Sequence, residues 1–346
     1  MVSLGNSFMK APKFLLTVTL VFLAIAGGYA VGKFVSAPPK SDALLNSCPS
    51  VMAKIIQSAQ GSVYEVSATD SIEPETHYLA SYSVLGDLIS TQDLEKSLPS
   101  ELLEKSIPIE LKDEQNDRNL HEQAWDLFTL IIPPQDREMV ADYIVFTDGY
   151  SNTLAAVEQT PDDLARWIME VDIADLKDAD LFLFTLVHEY AHLLTLNSSQ
   201  VTPDPEIFKE PNNLSLIEEG GAACSDYFPG DGCSHPDSYI NEFYQRFWVD
   251  INDEWKAIDA LQYDEDPLPY YEGLYDFYEA HTDEFVDDYA TTHPAEDIAE
   301  SFAYFVFSPM PLGNSIKEQK IAFFYQYPEL LELRSNILQN ICTGSP

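Results

Sequence analysis

The chain has 346 residues, with 58 Asp and Glu against 18 Lys and Arg and a formal net charge of −40 at pH 7. A surface of that sign repels nucleic acid and anionic lipid headgroups and attracts cations, which excludes nucleic-acid binding as a primary role. Adaptation to salt and bound Ca2+ both fit such acidity, although Pro203-Asp-Pro-Glu206 and Asp264-Glu-Asp266 lack the EF-hand pattern and read as solvated loops.

Before position 34 the only basic residues are Lys10, Lys13 and Lys33, in a stretch without an acid. Phe14 to Gly32 between them is uncharged, long enough to span a bilayer and somewhat long for the core of a signal peptide. Residues 1–33 therefore read as a membrane anchor, with a cleaved signal peptide as the alternative; Ala24-Ile-Ala26 and Gly28-Tyr-Ala30 are the nearest approaches to a cleavage site. On either reading the acidic body is expected outside the cytoplasm, anchored by a single helix or else secreted or periplasmic. Residues 34–48, with Ala37-Pro-Pro-Lys-Ser41, read as a linker, and residues 49–346 as one large domain with a lobe at 49–196 and another at 197–346.

From Pro49 to Ile132 the apolar spacing predicts helices over Val51–Ala59, Ser81–Thr91 and His121–Ile131, closed by Pro133-Pro134. Part of this region is a candidate inhibitory cover for a site further on. Three strand-like runs follow, Asp142–Thr147, Thr153–Glu158 and Arg166–Ile173, the first two expected as a hairpin through Asp148-Gly-Tyr-Ser-Asn152.

The next run, Ala179 to Leu196, carries the chemistry. It is apolar nearly all round, as in a buried helix, yet holds His188, Glu189 and His192 in an H-E-x-x-H pattern. On a helix the two histidines lie one turn apart on one face, where both imidazoles reach a single metal ion, while Glu189 projects beside them as a general base. Buried ionisable groups need partners, and two histidine ligands with an open position suit one catalytic Zn2+.

Beyond it, Cys224 and Cys233 enclose a turn-rich loop that a disulfide closes readily, which leaves Cys48 and Cys342. Three connectivities are possible and this one is preferred; Cys224, Cys233 and His235 could instead hold a second metal. Helices are expected over Tyr239–Leu261, Tyr275–Tyr289, Ala295–Phe307 and Ile316–Leu338, the last interrupted at Pro328. Pro294 marks a helix start just ahead of Glu296, and Glu300 follows one turn later. Glu296 is the preferred third ligand and Glu300 a carboxylate that orients a ligand histidine. Glu218, Glu219, Asp297, Glu300 and His293 are the other candidates for that third position.

An H-E-x-x-H helix with a glutamate on a later helix resembles the gluzincin metallopeptidases. The local string is most similar to the catalytic domain of anthrax lethal factor, in which the ligand glutamate opens an E-x-x-A-E segment with a catalytic tyrosine seven residues earlier. Here Glu296 opens Glu-Asp-Ile-Ala-Glu300, and the residue seven before it is Tyr289. The resemblance implies an α+β, zincin-like fold with a small mixed sheet, an active-site helix and a mainly helical C-terminal lobe. It also implies a cleft in which an extended substrate lies along an edge strand, with Thr153–Glu158 as the candidate edge. The expected activity is hydrolysis of peptide bonds in a peptide or protein substrate, with Tyr289 stabilising the oxyanion. An inactive zincin-fold scaffold is the alternative, and an acidic calcium-binding surface protein a third reading.

Overall fold

The structure, a computed structural model, describes residues 40–61, 75–98, 102–103, 107–149, 153–263 and 266–343. The segment read as anchor or signal lies outside the described residues, and among those described no helix is long and apolar enough to cross a membrane. From Lys40 the chain forms one unit, α+β in class, with a small mixed sheet and a mostly helical remainder.

It opens with α1 (Lys40–Leu45) and α2 (Pro49–Gly61). The expected linker thus gives way at Lys40 to a docked helix. The buried Arg334 guanidinium donates to Asp42 Oδ1 at 2.6 Å and to Ser41 Oγ at 2.8 Å, and Cys48 is bonded to Cys342. A charge with no exposure requires acceptors of this kind, and with the disulfide they tie the first described helix to the last.

The sheet contains β1 (His77–Leu85), β2 (Leu88–Gln92), β3 (Val140–Thr147), β4 (Ala155–Thr160) and β5 (Asp163–Asp172), in spatial order β2-β1-β3-β5-β4. Two expectations fail. Ser81–Thr91, read as a helix, is the β1–β2 hairpin: Leu85 pairs with Leu88 across Gly86-Asp87, with Gly86 at φ 62, a conformation glycine adopts without a Cβ penalty. Nor do β3 and β4 form a hairpin, because β5 lies between them, parallel to β3 and antiparallel to β4. The hairpin turn is instead at Pro161-Asp162, and the run from Trp167 to Asp172 is buried throughout, as a central strand covered on both faces should be.

One face of the sheet packs against α3 (Arg118–Ile131) and α4 (Ala179–Leu196) in a core that includes Trp125, Phe128, Val145, Met169, Phe182 and Val187. Burying a side chain such as Phe128 contributes about 2–3 kcal/mol. Met52, Ile55, Tyr82, Trp125 and Phe128 all belong to that core, so these residues ahead of Pro133 are packed into the fold.

The chain then adds α5 (Leu214–Ala223), α6 (Tyr239–Phe247), α7 (Asn252–Asp259), α8 (Leu268–Ala280), α9 (Pro294–Phe307), α10 (Ile316–Phe323) and α11 (Pro328–Thr343). Tyr239–Leu261 is broken rather than continuous. Trp248 and Trp255 are pinned by their indoles, to Asp297 Oδ2 at 2.7 Å and to the Thr291 carbonyl at 3.0 Å, and these anchors override local helical spacing. The expected Tyr275–Tyr289 helix stops at Ala280. Beyond it, Asp287 and Asp288 accept from the Ala290 and Tyr289 N–H groups, which fixes a separate 3-10 turn where the expected helix would have continued.

Asp172 at the end of β5 accepts from Thr147 Oγ1 at 3.2 Å, from Asp148 N at 2.9 Å and from Ala174 N at 2.7 Å. Burial lifts its pKa to about 7 against those bonds, and a side-chain hydrogen bond with Asp148 adds to the rise. A carboxyl whose folded pKa exceeds its unfolded one contributes stability that is full below the unfolded value and lost as pH rises through the folded one. Unfolding free energy is therefore expected to fall by about 1–2 kcal/mol between pH 4 and 8 from this group. Denaturant titrations check it: Asp148→Asn, which supplies a permanent donor, should flatten the slope.

Candidate metal centre

The helix α4 is capped by Asp178, which accepts from Leu181 N at 3.1 Å, and closed by Asn197, whose Nδ2 donates to the Leu193 and Leu194 carbonyls. It is apolar on every side because it is covered on every side, by the sheet, α2 and α9. His188, Glu189 and His192 are nevertheless within it at 5%, 6% and 7% exposure. The two Nε2 atoms stand 3.1 Å apart.

Helix α9 starts with Pro294 in its first turn, and His293 at its N-cap accepts the Ala295 N–H at 3.1 Å. That start aims Glu296 at the histidines: Oε2 lies 3.0 Å from His188 Nε2 and 3.3 Å from His192 Nε2. Among the described residues this is the group of His, Cys, Asp and Glu side chains spaced to hold a metal ion. Glu300, one turn on, places Oε1 2.8 Å from His188 Nδ1.

The other candidate ligands are elsewhere. Glu218 and Glu219 are exposed on α5. Asp297 is fully buried on the far side of α9, 2.7 Å from Lys320 Nζ, and His293 is committed as the cap, with burial lowering its pKa to about 4. Cys224 and Cys233 are joined in a disulfide, which removes the thiolates from the second-metal reading, and His235 instead contacts Thr202 Oγ1 and the Ser199 carbonyl. None of the acidic clusters yields a further ligand group among the described residues.

Electrostatics follow from burial and proximity. Burial alone would depress His188, but the carboxylates of Glu300 and Glu296 outweigh it and hold its pKa well above the usual value. Burial would raise Glu296, yet the two imidazoles hold it well below the carboxylate range. Burial also raises Glu189, with the two histidines opposing.

The donor set fits a metal ion. Atoms bound tetrahedrally at about 2.0–2.2 Å stand roughly 3.3–3.6 Å from one another, a few tenths of an ångström beyond the separations of 3.0, 3.1 and 3.3 Å here. As a trio held by hydrogen bonds alone, the same atoms need a proton on each edge, including one between facing imidazoles. One cation at the centre satisfies all three at once.

Tyr289 lies on a single 3-10 turn, Tyr289–Thr291, just ahead of α9, not on the expected helix. Its ring centroid is 5.9 Å from that of His188, its hydroxyl bonds to the Glu296 side chain, and at 39% exposure it borders solvent. Burial, then the charges of Glu296, Glu189 and Glu300, raise its pKa well above the ordinary phenol value. The strand β4 is the sheet edge and packs against α4. On neighbouring β5 the 7%-exposed Glu170 is pushed to about 8 by burial and by the charges of Glu158 and Glu189. Sequence reasoning missed Glu170, Lys320 and Asp287; a lone acid inside the apolar run Trp167–Val171 could have flagged the first, while nothing local marks the others.

Comparison with protein families, with curated proteins and with solved structures finds no match to this chain.

Proposed function

We propose that the chain is a zinc-dependent endopeptidase with a zincin-like arrangement, acting on peptide or protein substrates outside the cytoplasm. The observation that carries this reading is the convergence of His188 Nε2, His192 Nε2 and Glu296 Oε2 beside a buried Glu189. His and carboxylate donors with room for a fourth ligand suit catalytic zinc better than Ca2+, which takes six or more oxygens. The two disulfides support an oxidising compartment, and the N-terminal apolar segment supports a membrane anchor, or a secreted or periplasmic protein if that segment is cleaved.

Zinc held there supplies Lewis-acid polarisation of the scissile carbonyl and of a water. Glu189 takes the proton of the attacking water and returns it to the departing amine. Tyr289, kept protonated by its surroundings, donates to the developing oxyanion. Glu300 fixes the His188 ring through Nδ1. An extended substrate pairs with the free edge of β4.

Metal analysis of the full-length protein tests the reading. One zinc per chain is expected in the wild type, lost or at least tenfold weaker in both His192→Ala and Glu296→Ala. Wild-type protein without zinc, prepared free of chelators, sinks the proposal; zinc retained in Glu296→Ala removes that residue from the ligand set.

A further inference from the structure

Asp287 has no part in the chemistry above, yet its side chain joins two pieces of the site. It lies between α8 and the Tyr289–Thr291 turn, and its Oδ1 accepts the Ala290 N–H at 3.0 Å, which braces the turn that presents Tyr289. The same carboxyl hydrogen-bonds the Glu300 carboxyl, whose Oε1 is 2.8 Å from His188 Nδ1.

Two ionised carboxylates repel at such a contact, so a hydrogen bond between them requires one proton. Glu300 turns its Oε1 toward His188 Nδ1 at 2.8 Å, where it serves as acceptor for the ring N–H. Burial of Asp287, and after it the neighbouring acids Glu300 and Asp288, hold its carboxyl well above the usual carboxylate range, so Asp287 is the one to carry the shared proton. A cap for Ala290 alone needs a single acceptor, which a serine or asparagine provides. The second, proton-sharing contact is the unexplained feature.

We infer that Asp287 is a positioning residue of the metal site: its side chain bonds Glu300, holds that side chain against His188 and pins the Tyr289 turn in the same act. The inference rests on the zinc reading above. In it the two halves of the catalytic apparatus, the ligand set and the oxyanion donor, share one support outside the ligands themselves. Groups that orient a ligand's partner affect metal affinity about 10–100-fold on removal.

The test compares full-length wild type, Asp287→Asn, Asp287→Ser and Asp287→Ala for zinc affinity by competition with a chelator, and for the visible absorption of the cobalt-substituted protein. Asp287→Asn donates to Glu300 through its amide and accepts from Ala290, so it should bind zinc within about threefold of wild type. Asp287→Ser keeps the cap but falls short of Glu300; it should bind zinc at least tenfold more weakly and shift the cobalt spectrum, as should Asp287→Ala. Asp287→Ser needs no loss of the turn, so it remains informative where Asp287→Ala does not fold. Zinc affinity in Asp287→Ser equal to wild type overturns the inference, and so does Asp287→Asn no better than Asp287→Ser. Either result leaves the zinc reading intact, whereas wild-type protein that holds no zinc overturns both.

Discussion

Replacing Glu189 by Gln should lower turnover of an unfolded protein substrate by roughly 10²–10⁴-fold while one zinc per chain remains. Glutamine has the same shape, so the packing of a side chain with 6% exposure is kept, and the neighbouring His188 and His192 are untouched. What is lost is the ability to accept a proton. Turnover assayed alongside metal content separates the possibilities. Activity within threefold of wild type would remove Glu189 from the chemistry. Zinc without any turnover in the wild type, across a broad panel of peptides, would favour a scaffold built on the same site.

The largest effect on stability is expected at Lys320, on α10, far in sequence from the metal helix. Its ammonium is 2.7 Å from Asp297 Oδ2 with neither side chain exposed, and lies 3.8 Å from the centre of the Phe285 ring. Burial lowers the Lys320 pKa, and burial raises that of Asp297 to about 6 although the two are paired. Both directions indicate that their attraction only partly offsets the desolvation. Lys320→Met leaves Asp297 buried with the Trp248 indole and the Ser301 side chain as neutral donors, and is expected to cost about 3–5 kcal/mol in urea unfolding. Adding Asp297→Asn, which keeps an acceptor for Trp248, should recover most of that loss. A cost below about 1 kcal/mol for the single substitution would show that the pair contributes little.

What the sequence reveals and conceals follows from the range of each interaction. The helix Ala179–Leu196 is legible because a metal demands rare side chains at a fixed helical spacing, and a buried helix has few other polar residues. Glu296 and Glu300 are legible for the same reason, with Pro294 marking the start of their helix. The β1–β2 hairpin was concealed because Ser81–Thr91 has apolar residues that fit either period, and only Gly86-Asp87 favours the turn. Strand order was concealed because β5 inserts between β3 and β4 through contacts that no adjacent sequence encodes. The break at Trp248 depends on Asp297 and Thr291, partners that come from another part of the chain. Asp287 and Lys320 belong to this second group. Their significance is tertiary, and a single acid in a chain with 58 of them carries no signal of its own.

The bond between Cys48 and Cys342 spans 294 positions, almost the whole described chain. A backbone cut anywhere between those cysteines leaves two fragments still covalently joined, with the original mass plus that of one water. For a molecule proposed to hydrolyse peptide bonds, self-inflicted nicks would be silent on a gel run without reductant and would appear only once the disulfide is opened. The fold thus carries its own record of damage, readable by running each sample in two lanes.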